Sequence, residues 1–142
     1  MLSLTRDRAC DYDKDANPAV MMVTNARQHG KPVNYLPDGE IFFHADSCFT
    51  EYPQRAVCLY ALELPSIGGD TIFASAVRLH DTLPADIRNS PDHYRHIWQL
   101  GHLILWDNRR ALHARPDFPA DEPRKLRRVP IANDMPVVRA PD

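Results

Sequence analysis

Proline constrains this chain more than any other residue type. There are 13 prolines in 142 residues, against only 5 glycines. Each proline fixes φ, removes a backbone donor, and ends or kinks a helix. Spread along the whole chain, they leave short windows that suit strands and loops better than long helices. The length suits a single domain with a real core, spanning residues 1–142. Residues 1–18 read as a polar lead-in and 138–142 as a loose tail.

Within those windows the elements can be read in turn. AVMMVTN (19–25) is a short buried strand, and 30–40 is a loop with Pro-Asp-Gly turn chemistry. IFFHADS (41–47) is rich in β-formers and reads as a strand. RAVCLYALELP (55–65) is a near-continuously apolar strand, SIGGD (66–70) a turn, and TIFAS (71–75) a further strand. Val77, Leu79, His80, Leu83 and Ile87 recur at helical spacing, which predicts the one main helix over 76–88, broken by residues 89–93. HLILWDN (102–108) and RKLRRVPIAN (124–133) complete the strands. The expected fold class is mostly β (α+β), a jelly roll or cupin-like barrel.

Composition excludes several classes. The net charge is −2, so no global basic field argues for nucleic acid. No apolar run approaches the roughly 18 residues of a membrane helix, and MLSLTRDRAC lacks a signal-peptide apolar core. Cys10, Cys48 and Cys58 are widely spaced and form no C-x-x-C pair, which argues against a zinc knuckle or a disulfide framework. The expected compartment is a reducing cytoplasm, with neither nucleic acid nor membrane as partner.

One short motif carries chemistry. On a strand, positions i and i+2 share a face, so His44 and Asp46 would project together. An imidazole beside a carboxylate supplies two members of a 2-His-1-carboxylate iron triad. The plain alternative is a strand-end histidine bonded to a neighbouring aspartate. A third ligand must come from His29, His80, His93, His96, His102 or His113. His80 reads as a surface residue of the helix, His93 and His96 as members of a polar connection, and His102 as a strand-edge residue. His113 follows the apolar LILW strand in a polar segment, where a site residue or a structural histidine is equally natural. Composition and periodicity do not choose.

Four blocks in order resemble the Fe(II)- and 2-oxoglutarate-dependent dioxygenases of the taurine dioxygenase/TfdA type. They are LPDGEIFFHADSCF, RAVCLYALELPSIGGDTIFAS, GHLILWDNRRALHAR and RKLRRVPIANDMPV, covering most of residues 32–137. The resemblance implies a double-stranded β-helix with His44, Asp46 and His113 as the iron ligands, and no catalytic side chain beyond them. It implies that Arg124 and Thr71 hold the distal carboxylate of 2-oxoglutarate. It also implies that Arg128 faces the active site, to meet an anionic substrate or to support the cosubstrate. Arg124 and Arg128 are four apart on a strand and share a face, and a planar guanidinium matches a carboxylate bidentately; Arg127 points away. The bland reading of RKLRR is a basic surface strand, and of Gly68-Gly69 a tight turn. Trp106 and Asp107 read as core and turn residues. The implied activity uses Fe(II), 2-oxoglutarate and O2 to hydroxylate a small organic molecule, releasing succinate and CO2.

The chain departs from the family pattern. It begins close to the first metal strand, and residues 89–100 form a short connection where relatives carry barrel strands and a covering insertion. An incomplete barrel is therefore expected, with exposed sheet edges that homo-oligomerisation would cover. Gly101-His102 stands where relatives often have Gly-Asp. Glu40 stands where sulfonate-handling relatives carry asparagine. The competing reading is a shortened, non-catalytic relative acting as a binding module or gene fragment. A plain cupin-like metal protein fits less well, because the arginine block would have no purpose.

Overall fold

The computed structural model describes residues 20–33, 39–78 and 93–132. Ten strands follow in chain order: β1 (Met21–Thr24), β2 (Arg27–Gln28), β3 (Lys31–Pro32), β4 (Ile41–His44), β5 (Ala56–Glu63), β6 (Thr71–Ser75), β7 (His93–His96), β8 (Leu103–Asp107), β9 (Ala111–Arg115) and β10 (Lys125–Ile131). Two four-stranded antiparallel sheets result, ordered β1-β10-β5-β8 and β4-β9-β6-β7. β2 and β3 form a small separate hairpin.

The β5 run is apolar on both faces, yet burial alternates: Val57, Leu59 and Ala61 point inward. They meet Leu126 of β10, Trp106 of β8 and Trp98 in one core. Phe73 of β6 packs edge-on against Trp106 at 5.2 Å between ring centroids, which ties the second sheet to the first. This is the mostly-β, cupin-like jelly roll that the prolines and blocks predict, and it is incomplete. Among the described residues both sheets end at consecutive strands, β7 and β8.

Several expectations shift. Only Ala76–Arg78 of the 76–88 helix is described, and it is helical; the rest, with His80, lies outside the described residues, as do 1–18 and 138–142. The loop expected at 30–40 instead begins with the β2–β3 hairpin. Its turn places His29 and Gly30 at φ 51° and 75°, as a two-residue hairpin of primed type requires. β7 and β9 carry too many polar residues (HYRH, ALHAR) to show a strand period. β9 is nonetheless central in its sheet, paired on both sides by β4 and β6. Backbone pairing makes it a strand, and its polar side chains serve the interior. Cys48 and Cys58 are free thiols.

Candidate metal centre

Register brings the two histidines together. His44 of β4 lies directly opposite His113 of β9, and residues opposite each other in an antiparallel pair share a face. Their ring centroids are 4.2 Å apart. On the other side of His113 stands Phe73, its partner in β6.

Asp46 arrives differently from the expectation. β4 stops at His44, and Asp46 opens the turn at 46–49, so strand alternation does not place it. Its carboxylate still meets both rings, with Oδ1 3.5 Å from His44 Nε2 and Oδ2 3.9 Å from His113 Nε2. One ligand atom from each residue lies within 4.8 Å of the others. Ligands on neighbouring positions of an octahedron sit about 3 Å apart when each is ~2.1 Å from the metal, so small adjustments close the set on an ion.

Asp46 and His113 already hold the protonation states that a divalent metal needs, and a metal would displace the Nε2 proton that Asp46 favours on His44. His44 Nδ1 lies 2.8 Å from the Phe42 carbonyl, which can only accept. The ring nitrogen facing Asp46 is then Nε2, the one left to bind metal. The hydrogen bond with Asp46 raises the His44 pKa despite partial burial. Burial alone would push Asp46 up, but His44, Arg128 and His113 hold it well below the usual carboxylate range. Burial pushes His113 down to about 4, so this imidazole is neutral at pH 7. Two imidazoles and an ionised carboxylate are the donor set that Fe(II) accepts.

The same cavity, about 120 Å³, is lined by Thr71, Arg124 and Arg128 as well as the three candidate ligands. Thr71 is buried, and its Oγ accepts the Trp98 indole N–H at 3.0 Å, which leaves its own proton to donate elsewhere. Arg124 is 3% exposed and donates from Nε to Gly69 O at 2.9 Å. Gly69 has φ 64°, and a Cβ there would come within 3.0 Å of the Arg124 side chain. The tight turn therefore also makes room for the arginine. Burial, with Arg115 nearby, pushes Arg124 down to about 9, while Asp70 acts the other way. Arg128 faces inward and Arg127 outward, as their alternation predicts. The Arg128 guanidinium is engaged: Nη2 donates to Asp46 Oδ2 at 2.8 Å and to Gln54 Oε1 at 2.7 Å. Trp106 lies in the core, and Asp107 accepts the Arg109 N–H at 2.9 Å as a turn residue does.

Sequence reasoning passed over Asn25, Gln54, Trp98 and Asn108. Asn25 Oδ1 accepts the Arg124 backbone N–H at 2.9 Å, and Asn108 bonds the backbone of Asp46. No periodicity marks a buried amide; the only available signal for Asn108 was its place between Asp107 and Arg109 in the WDNR block.

The sequence matches the family described as taurine catabolism dioxygenase TauD, TfdA family over residues 3–91 and 89–129. The chain belongs to the TauD/TfdA family. Its class is thereby an Fe(II)-, 2-oxoglutarate- and O2-using dioxygenase acting on small molecules. No curated protein matches it significantly. Among solved structures it is similar to AAD-2 in complex with Mn(II) and N-oxalylglycine: TM-score 0.67, 19% identity, 84% of this chain and 76% of that one. It is also similar to a taurine dioxygenase from Burkholderia xenovorans: TM-score 0.63, 18% identity, covering 87% and 67%. At such identities these likenesses carry the TauD/TfdA fold alone. The two matched segments meet at residues 89–91. Among the described residues no helix is long and apolar enough to cross a membrane.

Proposed function

We propose that this chain binds Fe(II) through His44, Asp46 and His113 and hydroxylates a small anionic organic molecule. The observation that carries the reading is convergence: the three candidate ligands lie within 4.8 Å of one another in the cavity that also holds Arg124 and Thr71. When bound, the metal with 2-oxoglutarate and O2 supplies an oxidative hydroxylation that releases succinate and CO2.

The chain's own residues set the geometry. Arg124 offers a buried cation to the distal carboxylate of 2-oxoglutarate; Asp70, the nearby acid, is shared with Arg95 at 3.3 Å. Thr71, which accepts the Trp98 N–H with one lone pair, donates its hydroxyl proton to the same carboxylate. The cavity is lined by three guanidiniums, Arg115, Arg124 and Arg128, against one carboxylate, Asp46. A divalent metal adds to that excess, which favours anions for both cosubstrate and substrate. Arg128 would reach the substrate through Nη1, whose partner is the weak acceptor Met21 Sδ at 3.1 Å. Glu40 is exposed and adds no selectivity for a sulfonate.

Anaerobic titration with Fe(II) and 2-oxoglutarate tests the reading. A visible metal-to-ligand charge-transfer band is expected; no band at saturating ligand sinks it. A second reading is a relative that binds metal and cosubstrate without productive turnover. It is favoured by the 35% exposure of the His44 side chain, at a centre that turnover needs dry. The band together with an absence of succinate release under O2 selects that reading. Among the described residues β7 and β8 are the end strands of their sheets, which supports self-association, since an edge strand can meet its own copy about a twofold axis.

A further inference from the structure

Asp46 is a ligand on a turn. His44 and His113 are fixed by the β4–β9 ladder, but β4 ends two residues before Asp46. The next residue, Ser47, sits at φ 53°, in the left-handed region that non-glycine residues seldom adopt. Left to itself, such a turn would leave the carboxylate poorly aimed.

Asn108 replaces the missing ladder. It lies 62 positions away in sequence, just after β8, and is 1% exposed. Its Oδ1 accepts the Asp46 backbone N–H at 2.9 Å. Its Nδ2 donates to Asp46 O at 2.8 Å and to Gln54 O at 3.0 Å. One side-chain amide thus pairs both backbone groups of Asp46, as a neighbouring strand would, and uses both of its N–H donors. The amide is itself anchored, since Asn108 N donates to Arg55 O at 3.0 Å. Gln54, 3% exposed, ties the far side: its Nε2 donates to Ser47 Oγ at 3.2 Å and its Oε1 accepts from Arg128. Packing alone would be served by a leucine of similar shape. A leucine would leave the Asp46 backbone groups and the Gln54 carbonyl without these partners.

We propose that Asn108 is a positioning residue of the metal centre, holding the Asp46 backbone so that its carboxylate faces His44 and His113. It touches no metal and acts through Asp46. The inference rests on the reading of His44, Asp46 and His113 as metal ligands. Supporting groups of this kind are worth 10–100-fold in metal affinity.

The test is Mn(II) binding to the apo protein, followed by loss of the free-ion EPR signal, with apo thermal unfolding measured in parallel. The chains compared are the parent, Asn108→Leu, Asn108→Asp and the core control Val57→Ala. Asn108→Leu is expected to weaken Mn(II) binding at least 10-fold. Asn108→Asp keeps the acceptor for Asp46 N–H but faces two carbonyls with a carboxylate, so it too is expected to lose about 10-fold; it carries the test if the leucine variant does not fold. Val57→Ala is expected to lower the unfolding midpoint while changing affinity less than about 3-fold. Affinity loss in the Asn108 variants no greater than in Val57→Ala, or parent-like affinity in both, overturns the inference alone. A parent that binds no Mn(II) overturns the metal reading and the inference with it.

Discussion

Two sides of this molecule are built on opposite terms. At the metal end, where β4, β9, β10 and the turn at 46–49 meet, the candidate ligands and their supports are tied by named partners. At the β7–β8 side, Tyr94, Ile97, Leu100, Leu103 and Leu105 are all more than 60% exposed within twelve residues of sequence. The metal end draws on strands far apart in the chain. Among the described residues the open side comprises neighbouring segments facing solvent. The contrast teaches that the candidate ligands are carried by β4, β9 and the turn at 46–49, while the open side reaches them through buried supports alone: Trp98, which bonds Thr71, and Asn108, which follows β8 and clamps Asp46. What the edge would govern is water access and association.

The largest effect lies at the ligands. His113→Ala removes a donor for which neither neighbour in the row, His44 or Phe73, substitutes. Loss of the Fe(II)–2-oxoglutarate band is expected, with the apo protein still folded by circular dichroism. A band of parental intensity would move the metal elsewhere and break the comparison at its stronger pole. Next comes Arg124→Met. A hydrogen bond to a charged group contributes about 1.5–3 kcal/mol, so 2-oxoglutarate affinity should fall roughly 10- to 150-fold while Mn(II) alone binds as before. Equal loss of both would mean that Arg124 supports the fold rather than the cosubstrate.

Acid should act most strongly on the metal end; at the edge, burial and His102 also lower the pKa of His96 in β7, which adds to the loss of stability in acid. His113 titrates near 4 when folded and 6.5 when unfolded. Between those values the unfolded chain binds the extra proton, so stability falls as pH drops from 6.5 toward 4, at most by about 1.4 kcal/mol per unit. Asp46, held low, contributes stability above 3.8 that is lost as pH falls below it. His44 runs oppositely: its raised value adds stability below 6.5 that is lost as pH rises. Urea midpoints of the apo protein between pH 7 and 4.5 should therefore decline, and His113→Asn should flatten the decline. An unchanged slope in that variant would assign the acid sensitivity to another group.

The contrast also sorts what was legible in the sequence. The jelly roll could be read from the prolines, the apolar runs and the four blocks, and Leu126, Val57 and Trp106 form its core. Arg128 could be aimed inward and Arg127 outward from their places in β10, because alternation is a local property; Arg124, read as part of the same strand, lies just before it and still lines the cavity. His44 and Asp46 do come together, but for a different reason: the strand ends too early, and Asn108 does what alternation was expected to do. Asn25 does the same for Arg124, which lies one residue before β10. Both clamps join segments more than sixty positions apart, and a buried amide has no period to reveal it. β9 was hidden because its polar side chains serve the interior, against the usual sense of a polar pattern.

The smallest effect belongs to the edge. Replacing Leu103 and Leu105 with lysine places charge on side chains that are 65% and 61% exposed, on a strand at the end of its sheet. Surface changes of this kind stay within about 0.5 kcal/mol, so the unfolding midpoint should barely move. Mn(II) affinity should stay within about 2-fold, because no candidate ligand or clamp touches either residue. The self-association expected of the parent should weaken, since lysine on an edge strand opposes pairing with a second copy. Sedimentation velocity over a concentration series reads that difference directly. A double variant that loses metal affinity would show that the two sides are coupled, through Trp106 between Leu105 and the turn to Asn108.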